Sequence, residues 1–578
     1  MWQCSALLFL LLLPASFSGS ADCTISVSPG SATALQAALA AAVAAAAAAS
    51  PGLDTVVCLA PGTYSSGLTL TPADTPANGG RIIWRSTTPG AAVISGGSRL
   101  TGWRTGSYAG SPAVYASLPP GVPAAGDAVH VRQLWVGGVR AARAGGAAEA
   151  LLGRLTATRS AAGTTLTSAT PLPPWLLNAT AADPGALTAL ELTWPIVVKN
   201  WIAPRCTVAA ASASARSLTL VEPCGALLWQ RAGGKLAPPV AVEALPGAPL
   251  QPGTFYHAPG ARTVFYALAP GQSLADVEAS AVTAFTETLL TALPGTARHA
   301  FQGLTFSHTT WAQPNAPDGF VGAQSSVFTC TPATPECNGG QAEPRGAVAL
   351  AGVAAFELTG CTFTAIGSAW GLSLDRGSSA SSVRACTFSD LSGGFLKLGS
   401  VDAAYAGSPN ASLWDRDSVV ADNVATGMAV EIEDAAGLFG GYLHNASIEH
   451  NYVAESGYDG ISVGWGWGAT GPLPGHGGNN ITGNSLHSVM NKLRDGGGIY
   501  VNGKTQPAVE SLIQGNYVNG DAAVFAVIYE DNGASNYKIT SNVVVNGSLA
   551  WAFFMQGCCN LPAYNSSVSE FYWELPML

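Results

Sequence analysis

Short apolar runs separated by polar turns recur along the second half of the chain. Within residues 448–533 three stretches share one pattern: IEHNYVAESGYDGISVGWGWG, ITGNSLHSVMNKLRDGGGIYVNG and LIQGNYVNGDAAVFAVIYEDNG. Each contains a short apolar run, an Asn, a polar loop and a second apolar run. The second runs fall at residues 460–463, 498–501 and 527–529. They are rich in β-branched residues and lack the apolar period of a helix, so they predict strands. Strands that repeat every ~20 to 50 residues predict a solenoid, in which each repeat buries its apolar face only against its neighbours.

Asn423, Asn451, Asn484, Asn516 and Asn542 recur about every thirty residues. Asn side chains at equivalent turns can bond the coil above and the coil below, forming a ladder. Earlier coils place Thr305-Phe306, Thr362-Phe363 and Thr387-Phe388 at what reads as the same turn, with each Phe pointing inward and stacking. The fold class expected is all-β: a right-handed parallel β-helix.

Residues 106–295 lose the repeat. They hold longer separated strands, such as residues 129–136, between turns rich in Pro and Gly. This segment predicts an antiparallel β-sandwich inserted into the solenoid. The expected organisation is a signal peptide at 1–20, N-terminal coils with a capping helix at 21–105, the insert at 106–295, and the main β-helix at 296–578. The capping helix is the Ala-rich run at 34–49, because Ala favours helix.

Composition narrows the class. Apolar residues make up 48% of the 578 and charged residues 10%, with 68 glycines. That balance suits strands and turns and is too apolar for disorder. The net charge of −10 argues against a nucleic-acid partner, whose phosphates need a basic surface. The apolar run at residues 6–14, followed by small residues, reads as a secretory signal, and it is shorter than the ~20 residues a membrane span requires. The mature chain is therefore expected to be secreted, without a membrane span, and monomeric.

Cysteine usage fits export. Sequence proximity pairs Cys23 with Cys58, Cys206 with Cys224 and Cys330 with Cys337. Cys361 and Cys386 each precede a Thr-Phe pair, so they stack on adjacent coils, either bonded or as a buried thiol pair. Cys558 and Cys559 are left unassigned. Six N-x-S/T tripeptides, at Asn178, Asn410, Asn445, Asn480, Asn546 and Asn565, are candidate glycan acceptors. No CxxC pair or zinc-spaced His cluster occurs, and neither metal nor cofactor is expected.

Several motifs carry a resemblance. Residues 460–468 (GISVGWGWG), 495–500 (DGGGIY) and 528–533 (IYEDNG) are similar to the pectate-lyase-like β-helix proteins of glycoside hydrolase family 141. So are PGTY at 61–64, VISGG at 93–97, RQLWV at 132–136 and FQGLTF at 301–306. The resemblance runs in order over most of the mature chain. It implies a β-helix acting on glycans, fucosides and xylans among them, and it favours Asp495 and Asp531 as the catalytic pair. The chain departs from the family at residues 242–250 and at Glu530-Asp531-Asn532, where the family usually reads Leu-Asp-Glu.

The residues can also be weighed by chemistry alone. Glycoside hydrolysis needs one carboxyl group to protonate the leaving oxygen and another as nucleophile or base. In the later coils the candidates are Glu431, Glu433, Asp434, Asp459, Asp495, Asp521, Glu530 and Asp531. Three glycines after Asp495 allow close approach. Asp495, beside Ile499 and the tryptophan strand, is the expected proton donor, because apolar surroundings raise a carboxyl pKa. Asp531, in a polar turn, is the expected nucleophile or base. One obstacle stands against the pair. With Tyr500 aligned on Tyr529, the two acids are offset by seven residues, roughly 23 Å in extended strands. Either the glycines fold Asp495 back, or Glu433 or Asp459 takes its place.

Trp465 and Trp467 alternate with glycines, so in an extended chain both project to one side, where indole faces stack on sugar rings. Lys492, Arg494, Tyr500 and Tyr529 complete the expected subsites for a polysaccharide or oligosaccharide. Two other functions fit the same residues: a polysaccharide lyase, using a basic residue, and a non-catalytic glycan-binding wall protein, needing only groove and aromatics.

Overall fold

The computed structural model describes residues 23–546, apart from 32, 66, 121–129, 184, 335, 470, 508 and 521–525, and the backbone of strands Trp551–Met555, Ser567–Ser569 and Tyr572–Glu574. The expected signal peptide, Asp521, Cys558, Cys559 and Asn565 lie outside the described residues.

Three parallel sheets, of 12, 10 and 11 strands, run the length of the molecule. Successive coils add one strand to each, which makes a right-handed parallel β-helix. One coil comprises Ser447–Glu449, Tyr452–Ala454 and Ile461–Val463. In the first sheet the middle residue of each short strand points inward, and Ile448, Ile481, Ile513 and Ile539 stack in register. Val453, Leu486, Val518 and Val544 do the same in the second. The third sheet differs: its strands Leu438–Gly440, Ile461–Val463 and Ile499–Val501 are buried on both faces, because other parts of the chain cover their outer side.

The Asn ladder is continuous. Asn451 donates from its backbone N and its Nδ2 to Asn484 Oδ1, both at 3.0 Å. Asn423 donates likewise to Asn451, Asn484 to Asn516, and Asn516 to Asn542. Each step of 28, 33, 32 or 26 residues is one coil. The Thr-Phe pairs sit one position further on, in strands rather than at the Asn turn: Thr387 pairs with Val424, so Cys386 occupies the Asn column and its N donates to Asn423 Oδ1. Phe306, Phe363 and Phe388 point inward and stack at 5.0 and 4.6 Å. Cys361 and Cys386 are buried free thiols.

Helix Ala34–Ala48 caps the first coil with Leu35, Ala38, Leu39, Ala42 and Ala46, which its 3.6-residue turn places on one face. The pairs Cys23–Cys58, Cys206–Cys224 and Cys330–Cys337 are all disulfides. Among the described residues no helix is long and apolar enough to cross a membrane.

The chain leaves the solenoid after strand Ala92–Ser95 and rejoins it at Leu290–Ala292, which pairs in parallel with Leu68–Leu70 on one side and Gly346–Ala351 on the other. Between them lie largely antiparallel sheets of four, five and seven strands. The strand expected over 129–136 is only Leu134–Val136. Buried ion pairs tie this insert to the coils. Glu191 is wrapped by Arg132, Arg143 and Arg205, and Arg132 and Arg140 also reach Glu431 of the solenoid. Buried charges persist only when paired this completely, and removing one partner strands the others. A second cover comes from a small sheet of Val321–Gln324, Val327–Thr329 and Gln341–Ala342. Its Phe328 and Ala342 join Trp370, Phe439 and Trp465 in one apolar cluster.

Candidate active site

The outward column of the third sheet runs Ser462, Tyr500, Tyr529 in register on consecutive coils. Tyr500 and Tyr529 meet edge-on, with ring centroids 5.2 Å apart. They floor a cavity of about 370 Å³. The solenoid also supplies Trp467, Asp495, Asp531 and Asn532, the insert supplies Trp201 and Arg231, and the small sheet supplies Ala323, Gln324 and Gln341.

Asp495 and Asp531 face the same cavity although strand geometry separates them. Asp495 is not in a strand. Its φ is 59°, and the strand begins only at Ile499. Residues 496–498 fold the acid back over the coil. Two contacts hold that turn: the Tyr458 hydroxyl donates to the Asp495 carbonyl at 2.9 Å, and Gly497 N donates to Asp459 Oδ1 at 2.9 Å. Glycine is required at 496, where a Cβ would lie 2.2 Å from Asp459 Oδ1.

The two carboxyl groups have unlike surroundings. Burial, and then the charge of Asp531, push the Asp495 carboxyl above its ordinary range. Asp531 accepts from the Tyr500 hydroxyl at 2.5 Å and from Asn532 N at 2.7 Å. The Tyr500 oxygen in turn accepts from Trp467 Nε1 at 2.8 Å. Burial and the Asp531 charge push both the Tyr500 and Tyr529 phenols up, so they remain protonated donors.

The structure places the other sequence candidates elsewhere. Asp459 is fully buried behind the Asp495 turn, and burial holds its carboxyl far above the usual range. It positions the turn and does not line the cavity. Glu433, raised by burial, is also outside the cavity wall. Glu431 is spent on the arginines of the insert. Lys492 and Arg494 are exposed and off the cavity. Trp465 does not share a face with Trp467. Gly464, Gly466 and Trp467 have φ of 105°, 92° and 44°, so the segment is not extended. Trp465 is 5% exposed and packs edge-on against Phe439, while Trp467 alone reaches the cavity.

Five wall residues were not singled out in the sequence: Trp201, Arg231, Ala323, Gln324 and Gln341. Trp201 Nε1 and Arg231 Nη2 both donate to the Ala323 carbonyl, at 3.0 and 2.7 Å, which locks insert to small sheet at the rim. Arg231 ends helix Cys224–Arg231, anchored at its start by Cys206–Cys224. Burial pulls the Arg231 pKa down. Among the described residues no group of three or more His, Cys, Asp or Glu side chains is placed to hold a metal ion.

No protein-family model matches the chain, and no curated protein matches its sequence. Among solved structures, one described as a glycoside hydrolase superimposes with a TM-score of 0.73, covering 95% of this chain and 96% of its own at 20% identity. A complex of XylC with xylose aligns with a TM-score of 0.45 at 11% identity, over 89% of this chain and 66% of its own. An alginate lyase from Paenibacillus sp. str. FPU-7 aligns with a TM-score of 0.39 at 11% identity, over 92% and 98%. The first likeness shows the fold: a parallel β-helix with its insert, shared nearly end to end with a structure described as a glycoside hydrolase.

Proposed function

We propose that the protein is a secreted glycoside hydrolase that cleaves a polysaccharide or oligosaccharide in the cavity between β-helix and insert. One observation carries the reading: two carboxyl groups of unequal character, Asp495 and Asp531, share a single cavity. Asp495, whose carboxyl is pushed above its ordinary range by burial and by its neighbour, donates its proton to the glycosidic oxygen. Asp531, held as an acceptor by Tyr500 and Asn532, attacks the anomeric carbon or takes a proton from the attacking water. Trp201 and Trp467 offer indole faces to sugar C–H groups. Export fits the signal-like N-terminus and the three disulfides, which form in oxidising compartments. The protein acts as a monomer in this reading. Fucosides and xylans, substrates of the family that the sequence resembles, are the first to test.

Lyase chemistry is less well served. It needs a base beside a uronate, and the two tyrosines of the cavity are held protonated. Product analysis separates the readings. The protein should release new reducing ends from a fucoside- or xylan-containing wall glycan without forming unsaturated sugars. Unsaturated products would mean a lyase, and tight binding with no release would mean a non-catalytic glycan-binding protein.

A further inference from the structure

We propose that the protein holds a neutral glycan chain over several sugar units, using a second saccharide-binding cavity beside the one containing Asp495 and Asp531. This inference rests on the glycan reading above and goes on to name the substrate class. The second cavity measures about 550 Å³ and is walled by Glu336, Glu343, Arg376, Asp402 and Tyr405, among others.

Its position follows from the solenoid. Arg376 comes directly after strand Trp370–Asp375, and Asp402 and Tyr405 follow strand Gly394–Leu398. Trp467 and Asn532 come after strands Ile461–Val463 and Ala526–Glu530 of the same sheet. Both cavities therefore open at the exit of the third sheet. In strand order, Gly394–Leu398 lies three steps from Ile499–Val501, which is roughly 14 Å along the axis at ~4.8 Å a step. Gln341 belongs to both walls, so the cavities meet at its side chain. A third cavity of about 390 Å³ shares Glu336 and Glu343 with the second and extends the path toward Trp311.

The polar groups of the second cavity are held before any ligand arrives. Lys397, fully buried, pairs with Glu343 at 2.6 Å and also with Asp375. Ser400 Oγ donates to Glu343 at 2.7 Å. Arg376 pairs with Glu336 at 2.7 Å. Acceptors fixed in this way lose little freedom on binding. The half-buried Tyr405 ring supplies a face for a sugar. Charge then selects the ligand. Along the joined rims Glu336 is matched by Arg345 and Arg376, and Glu343 by Lys397, which leaves Asp402 and Asp531 against Arg231. A uronate chain would add a negative charge at every unit of such a rim, whereas a neutral chain meets only hydrogen-bonding groups.

The test is an oligosaccharide array, probed with the full-length chain carrying Asp531→Asn so that bound sugars are not cut. The array carries xylo-, manno-, gluco- and fuco-oligosaccharides from disaccharide to octasaccharide, with oligogalacturonates of the same lengths. A neutral series should gain about tenfold or more in affinity between trisaccharide and hexasaccharide. Adding Tyr405→Ala should remove most of that gain and leave the disaccharide unchanged. Ala403→Trp, which keeps Tyr405 but narrows the cavity, should act the same way. Affinity that is flat with length, or unchanged by both folded variants, overturns the second cavity and leaves the hydrolase reading standing. Tighter binding of oligogalacturonates overturns the neutral class. Binding of no sugar at all overturns the inference together with the glycan reading.

Discussion

The Tyr500 hydroxyl donates to Asp531 Oδ2 at 2.5 Å, and the Tyr500 oxygen accepts from Trp467 Nε1. Three successive coils of the third sheet thereby place one carboxylate oxygen. Tyr500 is 1% exposed, so the bond is largely shielded from bulk solvent. A hydrogen bond to a charged group in such a site contributes about 1.5–3 kcal/mol. Tyr500→Phe removes it with little change of shape. The variant should fold, melt near the native temperature, and lose about ten- to a hundredfold in kcat/KM. Steady-state kinetics on the preferred glycan, alongside a thermal melt, check this.

Asp531 also acts on Asp495. Burial and the Asp531 charge both raise the Asp495 carboxyl, because each disfavours its anion. Deleting the neighbouring charge removes one of these causes. In Asp531→Asn protein, Asp495 should titrate at a lower pH than in the native protein, and an upward shift would reverse the sign of the argument. Carboxyl carbon NMR with labelled Asp, assigned through Asp495→Asn, reads the shift directly.

The turn after Asp495 is packed too tightly for any side chain at 496. A Cβ there would lie 2.2 Å from Asp459 Oδ1 and 2.8 Å from Tyr458 Cε2. Relieving that clash moves the turn, and with it the acid. Misplacing a catalytic group by ~1 Å costs on the order of a hundredfold. Gly496→Ala should show a loss of that size in kcat, while circular dichroism still reports the β-helix.

The Asn ladder is a stability device remote from the cavity. Asn484 Oδ1 accepts twice from Asn451, and Asn484 Nδ2 donates to the Ile448 carbonyl and to Asn516. Asn484→Ala leaves several of these buried partners unmet, at about 1–3 kcal/mol each. Denaturant unfolding should show a loss of at least that size. An unchanged midpoint would mean the ladder contributes nothing net.

What was legible in the sequence was what repeats or lies close along the chain. The Asn column, the inward Phe stack and the cysteine pairs separated by 35, 18 and 7 residues are of this kind. What was not legible depends on where the chain stops being extended. Strand rise set Asp495 and Asp531 roughly 23 Å apart, and the three glycines left a fold-back at 495–498 open without deciding it against Glu433 or Asp459. Trp465 and Trp467 looked co-facial by alternation, but positive φ at Gly464, Gly466 and Trp467 turns one ring into the core. Trp201 and Arg231 reach the site only because Glu191, Arg132 and Glu431 dock the insert on the solenoid. Charge pairs between residues as far apart as 132 and 431 leave no periodicity to read.

The most direct test is turnover of Asp495→Asn and Asp531→Asn, measured separately on whichever glycan the native protein cleaves. Each substitution keeps the size of the side chain and removes the proposed proton donor or the proposed nucleophile or base. Loss of an essential acid or nucleophile costs about a hundredfold to ten-thousandfold or more. The account predicts a loss in that range for both variants, with native melting behaviour. A folded variant within about tenfold of native turnover would contradict the assignment of that residue, and two such variants would remove the cavity from the chemistry.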